Sequence, residues 1–153
     1  MESTLNPSAD EVIAKEEAFA LWNPTAAALW SLLLSPALGA WLLKRNWERL
    51  GHPDKAGGAF GWFFFVIGLN LANLGMILAA PRFEWDFDGL PAWVGLAVFG
   101  VWCCLSAYPQ IRYVDDHIGE AYPRRSWAAP ILIAIMATAL FLAVMALLVS
   151  ATS

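Results

Sequence analysis

A chain of 153 residues with 59% hydrophobic and only 14% charged residues departs from soluble domains, in which about a quarter of residues are charged, and reads as an integral membrane protein. Its formal net charge is -4, and its nine Lys and Arg lie beside apolar runs without forming a block that could follow a phosphate backbone, which argues against nucleic acid as a partner. Adjacent Cys103 and Cys104 point about 100° apart on a helix, so a disulfide between them is disfavoured.

The first stretch, "MESTLNPSADEVIAKEEAF", has no basic segment leading into an apolar core, and a cleaved secretory signal is not expected. Residues 1–22 read as an acidic extracytoplasmic tail, either a disordered lead-in or an interfacial helix opened by a capping box from Ser8 to Glu11. Residues 23–153 form the membrane domain. A hydrocarbon layer about 30 Å thick needs about 20 mostly apolar helical residues, and four stretches qualify, at about 25–43, 60–80, 91–108 and 127–149. The expected fold is all-α, an integral membrane four-helix bundle.

Asn23 and Pro24 suit the N-cap and first turn of the first helix. Pro36 then removes a backbone hydrogen bond from its middle, which predicts a kinked span or, alternatively, a re-entrant hairpin. The run "KRNWERLG" brings charges and Trp47 to the headgroup layer, and Gly51 is a natural stop.

In the second stretch, "FGWFFFVIGLNLANLGMILAA", a helical wheel gathers Gly61, Gly68 and Gly75 within about 20° of one another, with Ala72 and Ala79 within about 40°. So bare a face allows close backbone approach by a neighbouring helix. Asn70 and Asn73 fall on the opposite side, and an amide left unpaired in hydrocarbon costs several kcal/mol on apolar-solvent scales. This helix is therefore expected to meet protein or trapped water on both sides. Between the second and third stretches, "PRFEWDFDGLP" alternates rings and carboxylates, as an interfacial anchor does; Asp86 and Asp88 alone are too few ligands for a divalent cation.

The connections "RNWERLGHPDKAGGAFGW" and "RYVDDHIGEAYPRRSW" resemble each other in their order of basic, aromatic, glycine and proline residues, which suggests two similar helical hairpins. They hold most of the Lys and Arg, so both are expected in the cytoplasm, with both termini outside. His52, Asp54, Asp115, Asp116 and His117 could meet there, but no spacing matches a strong metal motif, and no nucleophile elbow, phosphate-cradling loop or redox cysteine pair is present.

The pattern WNPxAAxxW…SPxxGA…NWxxLGxPxKA, here "WNPTAAALWSLLLSPALGAWLLKRNWERLGHPDKA" followed later by "YPRRSW", resembles a recurring type of small bacterial inner-membrane protein. The likeness implies a bacterial inner-membrane setting and carries over no catalytic residue. The expectation is a non-enzymatic protein, without cofactor or metal, that contacts membrane lipid and another membrane or envelope protein or itself, as an accessory subunit or an immunity-type protector. The alternative is a small oligomeric transporter or channel with Asn70 and Asn73 lining a polar route, and an enzyme using the cytoplasmic His and Asp residues comes third.

Overall fold

The structure, a computed structural model, describes residues 20–86 and 89–152; of the acidic tail or interfacial helix expected at residues 1–22 all but residues 20–22 lies outside them, as do the ring and carboxylate of Phe87 and Asp88. The described chain is helical: α1 (Pro24–Leu33), α2 (Pro36–Arg49), α3 (Pro53–Ala79) with a 3-10 turn at Ala80–Arg82, α4 (Ala92–Trp102), a π-helical turn at Cys103–Ala107, α5 (Tyr108–His117) and α6 (Ala128–Thr152). Three continuous helices, Pro53–Arg82, Ala92–His117 and Ala128–Leu148, are long and apolar enough to cross a membrane.

The first apolar stretch does not cross as a kinked span. Serine before proline is pushed out of the α region, and Ser35 is extended (φ -175°, ψ 142°), with its hydroxyl capping the next helix by accepting from Ala37 N. The chain reverses there. Ser31 faces Gly39, and Trp22, which precedes α1, bonds to Asn46 near the end of α2, so α1 and α2 run antiparallel. At 1.5 Å per residue, the 10 residues of α1 rise about 15 Å, half of a hydrocarbon layer. The four-helix bundle of the sequence reading is thus corrected, among the described residues, to three long apolar helices and a short antiparallel helical hairpin. The idea of two similar hairpins fails with it: the 14-residue α2 stands where a full span was expected.

Asn23 does cap α1, its side chain accepting from Ala26 N at 3.1 Å, with Pro24 in the first turn. Gly51, at φ +76°, follows the end of α2 in the left-handed conformation that glycine adopts without steric cost. α2 then lies antiparallel to α3 and reaches about 21 Å along it. That length brings the hairpin tip to the level of Val66, the last of the buried residues Ala56, Ala59 and Val66 in α3.

The third crossing was expected to end at 108, before Pro109. Instead the helix continues to His117, because the wider π turn at Cys103–Ala107 makes room for a proline ring whose preceding-turn carbonyl would otherwise clash. The core lies among α1, α2, the start of α3 and the π turn, around Trp22, Leu42, Leu43, Trp47 and Trp102. Trp102 is fully buried against the hairpin, and its indole N–H finds no hydrogen-bond partner there.

Candidate functional site

The buried side-chain amides gather where the basic loops lie. Asn46 and Gln110 are fully buried. The Asn46 amide accepts from Trp22 N at 3.1 Å and donates to Trp22 O at 2.7 Å, as a neighbouring β-strand would. Its second donor reaches Gln110 Oε1 at 3.1 Å, and Gln110 Nε2 donates to Leu43 O at 2.9 Å. Two side chains thereby join the start of the hairpin, its end and the third crossing. Backbone bonds extend the clamp: Leu21 N donates to Pro123 O and Arg125 N to Leu21 O, each at 3.0 Å, while Arg49 donates to Ala20 O at 2.7 Å.

These contacts set Ala20–Trp22 at the basic end of the molecule, beside Arg49 and Arg124, and not across from the basic loops as a first full crossing would require. Nearby, His52 Nε2 and the Tyr113 hydroxyl share a hydrogen bond of 2.7 Å. Tyr113 also stacks on His117 at 4.4 Å and meets the Trp47 ring edge at 5.2 Å. Lys55 lies over both the Trp47 and Tyr113 rings, at 4.6 and 4.8 Å.

The two loop histidines therefore meet through Tyr113 and not through carboxylates. Asp54, Asp115 and Asp116 are exposed, and Asp116 pairs loosely with Arg112 at 3.8 Å. Among the described residues no group of three or more His, Cys, Asp or Glu is placed to hold a metal ion.

The intramembrane features of α3 lie elsewhere. Gly61, Gly68 and Gly75 are exposed, and a Cβ added at any of them would meet nothing within 4 Å. Ala72 is exposed beside them and Ala79 half-buried. The packing side of α3 is the opposite one. There Asn73 is half-buried and accepts from Leu90 N at 2.8 Å, tying α3 to the start of the third crossing. Asn70, one turn beyond the level of the hairpin tip, is exposed and donates to Val66 O of its own helix at 2.8 Å. At the acidic end Phe83 and Trp85 stack at 5.0 Å with both rings exposed, and Glu84 and Asp86 are exposed beside them.

Sequence reasoning passed over Asn46 and Gln110. Asn46 sits among charges in "KRNWER" and Gln110 follows a proline, so both looked like loop residues. Their signal is helical spacing: Ser106, Ala107, Gln110 and Val114 form one buried stripe, visible once the helix is continued through Pro109. Comparison of the chain with known protein families, with curated proteins and with solved structures found no match.

Proposed function

We propose that this protein is a non-enzymatic bacterial inner-membrane protein that works by lateral contact with another membrane or envelope protein, as an accessory subunit or immunity-type protector. One observation carries the reading: the face of α3 bearing Gly61, Gly68, Ala72 and Gly75 is smooth, exposed and open along about 21 Å of helix. In lipid, helices associate through close packing of small residues and not through a hydrophobic force. The buried amides support the same view, since Asn46 and Gln110 are spent on backbone groups and on each other. Positive-inside bias puts the basic end in the cytoplasm; with three crossings, Ala20 then lies inside and the end of α6 outside, which revises the sidedness expected from four.

The test is purification of the full chain in mild detergent, with a companion protein or a second copy expected to remain bound. Gly68→Leu should release it while leaving the helical circular dichroism and the unfolding temperature unchanged. A monodisperse wild-type monomer with nothing bound overturns the proposal. A second reading, an oligomeric transporter or channel, draws on the exposed Asn70 just beyond the hairpin tip. It requires solute flux in proteoliposomes that Asn70→Leu with Asn73→Leu abolishes.

A further inference from the structure

Two of the long helices agree on where the α1–α2 hairpin stops. Val66, the last buried residue within α3 and level with the tip, lies within a turn of the middle of Pro53–Arg82. Trp102, which meets Gly39 near the tip, lies within a turn of the middle of Ala92–His117. The other end of the hairpin lies with the basic loops, where Asn46 and Arg49 hold Trp22 and Ala20. The hairpin thus runs beside one half of each crossing and is missing from the other half.

The tip suits hydrocarbon. Pro36 carries no N–H, Ala37 N donates to Ser35 Oγ and Leu38 N to Ser35 O, each at 3.1 Å. Leu34, Ser35 and Pro36 are half-buried, as turn backbone at membrane depth must be paired and shielded by protein. Leu29, Leu32 and Leu33 share one exposed face of α1, while Ala27 and Ser31 on its other side are buried. Among the described residues, α1, α2, α3, α5 and α6 therefore stand in the basic-side leaflet and only α3, α4 and α6 in the other. At a helix diameter of about 10 Å, the two additional helices add about 160 Å² of cross-section to one leaflet alone.

The surface of α6 past the level of the tip indicates what fills the narrower half. Leu140, Phe141, Leu142 and Ala143 follow one another round the helix in steps of about 100°, and all are exposed. A protein neighbour covers one side of a helix, whereas a surface apolar all the way round suits acyl chains.

We propose that the chain is a wedge in the bilayer, with acyl chains occupying the space past the hairpin tip, and that it favours membranes whose basic-side leaflet is the convex one. Area inserted into one leaflet is accommodated where that leaflet is expanded, which is why one-sided insertions respond to curvature. A partner on the glycine face of α3 leaves the asymmetry standing, because Gly61 and Gly75 lie on either side of the middle of Pro53–Arg82 and such a neighbour adds to both leaflets.

The test is the orientation taken by the full chain, reconstituted at low density into phosphatidylcholine vesicles about 50 or about 400 nm across, strongly and weakly curved relative to a hydrocarbon layer of about 30 Å. A membrane-impermeant amine reagent reaches the exposed Lys55 only where the basic end faces outward, and mass spectrometry of that peptide gives the fraction labelled. This fraction should be larger on the small vesicles. Equal fractions at the two sizes, the result if a second copy fills the space past the tip, overturn the proposal, as does a shift in the opposite sense. Depth gives a second readout: Leu33→Cys in a Cys103→Ala, Cys104→Ala chain should resist impermeant maleimides from both faces, whereas Lys55→Cys in the same chain should react from one. Prompt reaction of the Leu33→Cys chain would put the tip in water and overturn the proposal independently.

Discussion

At the basic end of the molecule the chain is tied to itself by side chains reaching across long sequence separations: Asn46 to Trp22 and Gln110, Arg49 to Ala20, Tyr113 to His52. Toward the acidic end the helices carry few such ties. The Asn73 bond to Leu90 N is one, while Leu71, Met76, Trp93 and Leu96 lie exposed, and of Ala128–Leu148 in α6 only Pro130, in its first turn, is buried. The difference follows from how far the hairpin reaches. Where α1 and α2 are wedged against α3 and the third crossing there is a core; past their tip, lipid or another protein must cover the surfaces. Cohesion and availability for contact are divided along the membrane normal.

The sharpest way to break the cohesive half is Asn46→Asp. A carboxylate still accepts from Trp22 N but cannot donate to Trp22 O or Gln110 Oε1, and it places a charge where water does not reach. A loss of about 3–5 kcal/mol is expected, measured as denaturant unfolding in detergent by circular dichroism, and a variant as stable as wild type would show that the clamp does not organise the fold.

A pair of identical substitutions comes next. A Cβ at Gly39 would fall 2.5 Å from the Trp102 ring and overlap Ser31 Oγ, so Gly39→Ala should destabilise by about 1–3 kcal/mol. Gly61→Ala adds the same methyl to open space and should leave monomer stability within about 0.5 kcal/mol of wild type. Equal losses would erase the contrast between the two regions. The smallest effects are expected from the α3 amides. Asn73→Leu leaves Leu90 N without its acceptor and should cost about 1 kcal/mol, whereas Asn70→Leu removes only a bond within its own helix and should cost less.

The long helices were legible because sustained apolar length is an unambiguous signal, and the starts at Pro24 and Gly51's stop follow from local capping chemistry. The hairpin was legible too, in a way that was outweighed. "NP" at 23–24 was read as a helix start, yet "SP" at 35–36, the same pairing of capping side chain and first-turn proline, was read as a kink because the apolar run continued through it. Nothing in residues 24–49 alone decides between crossing and turning back. That choice rests on Gly39 meeting Trp102, and on Asn46 meeting residues 24 and 64 positions away. The buried amides escaped notice for a related reason: proline at 109 suggests an end unless the π turn before it is known.

The bridge between Leu21 and Arg124 has a consequence for biogenesis. Leu21 leaves the ribosome about a hundred residues ahead of its partner, a delay on the order of 5–20 s at common elongation rates. Through that interval the backbone at Leu21 lacks its native mate, and the loop leading into the last helix supplies it. A nascent chain halted before that loop would thus hold the Leu21 N–H and carbonyl without the Pro123 and Arg125 partners that pair them in the finished fold.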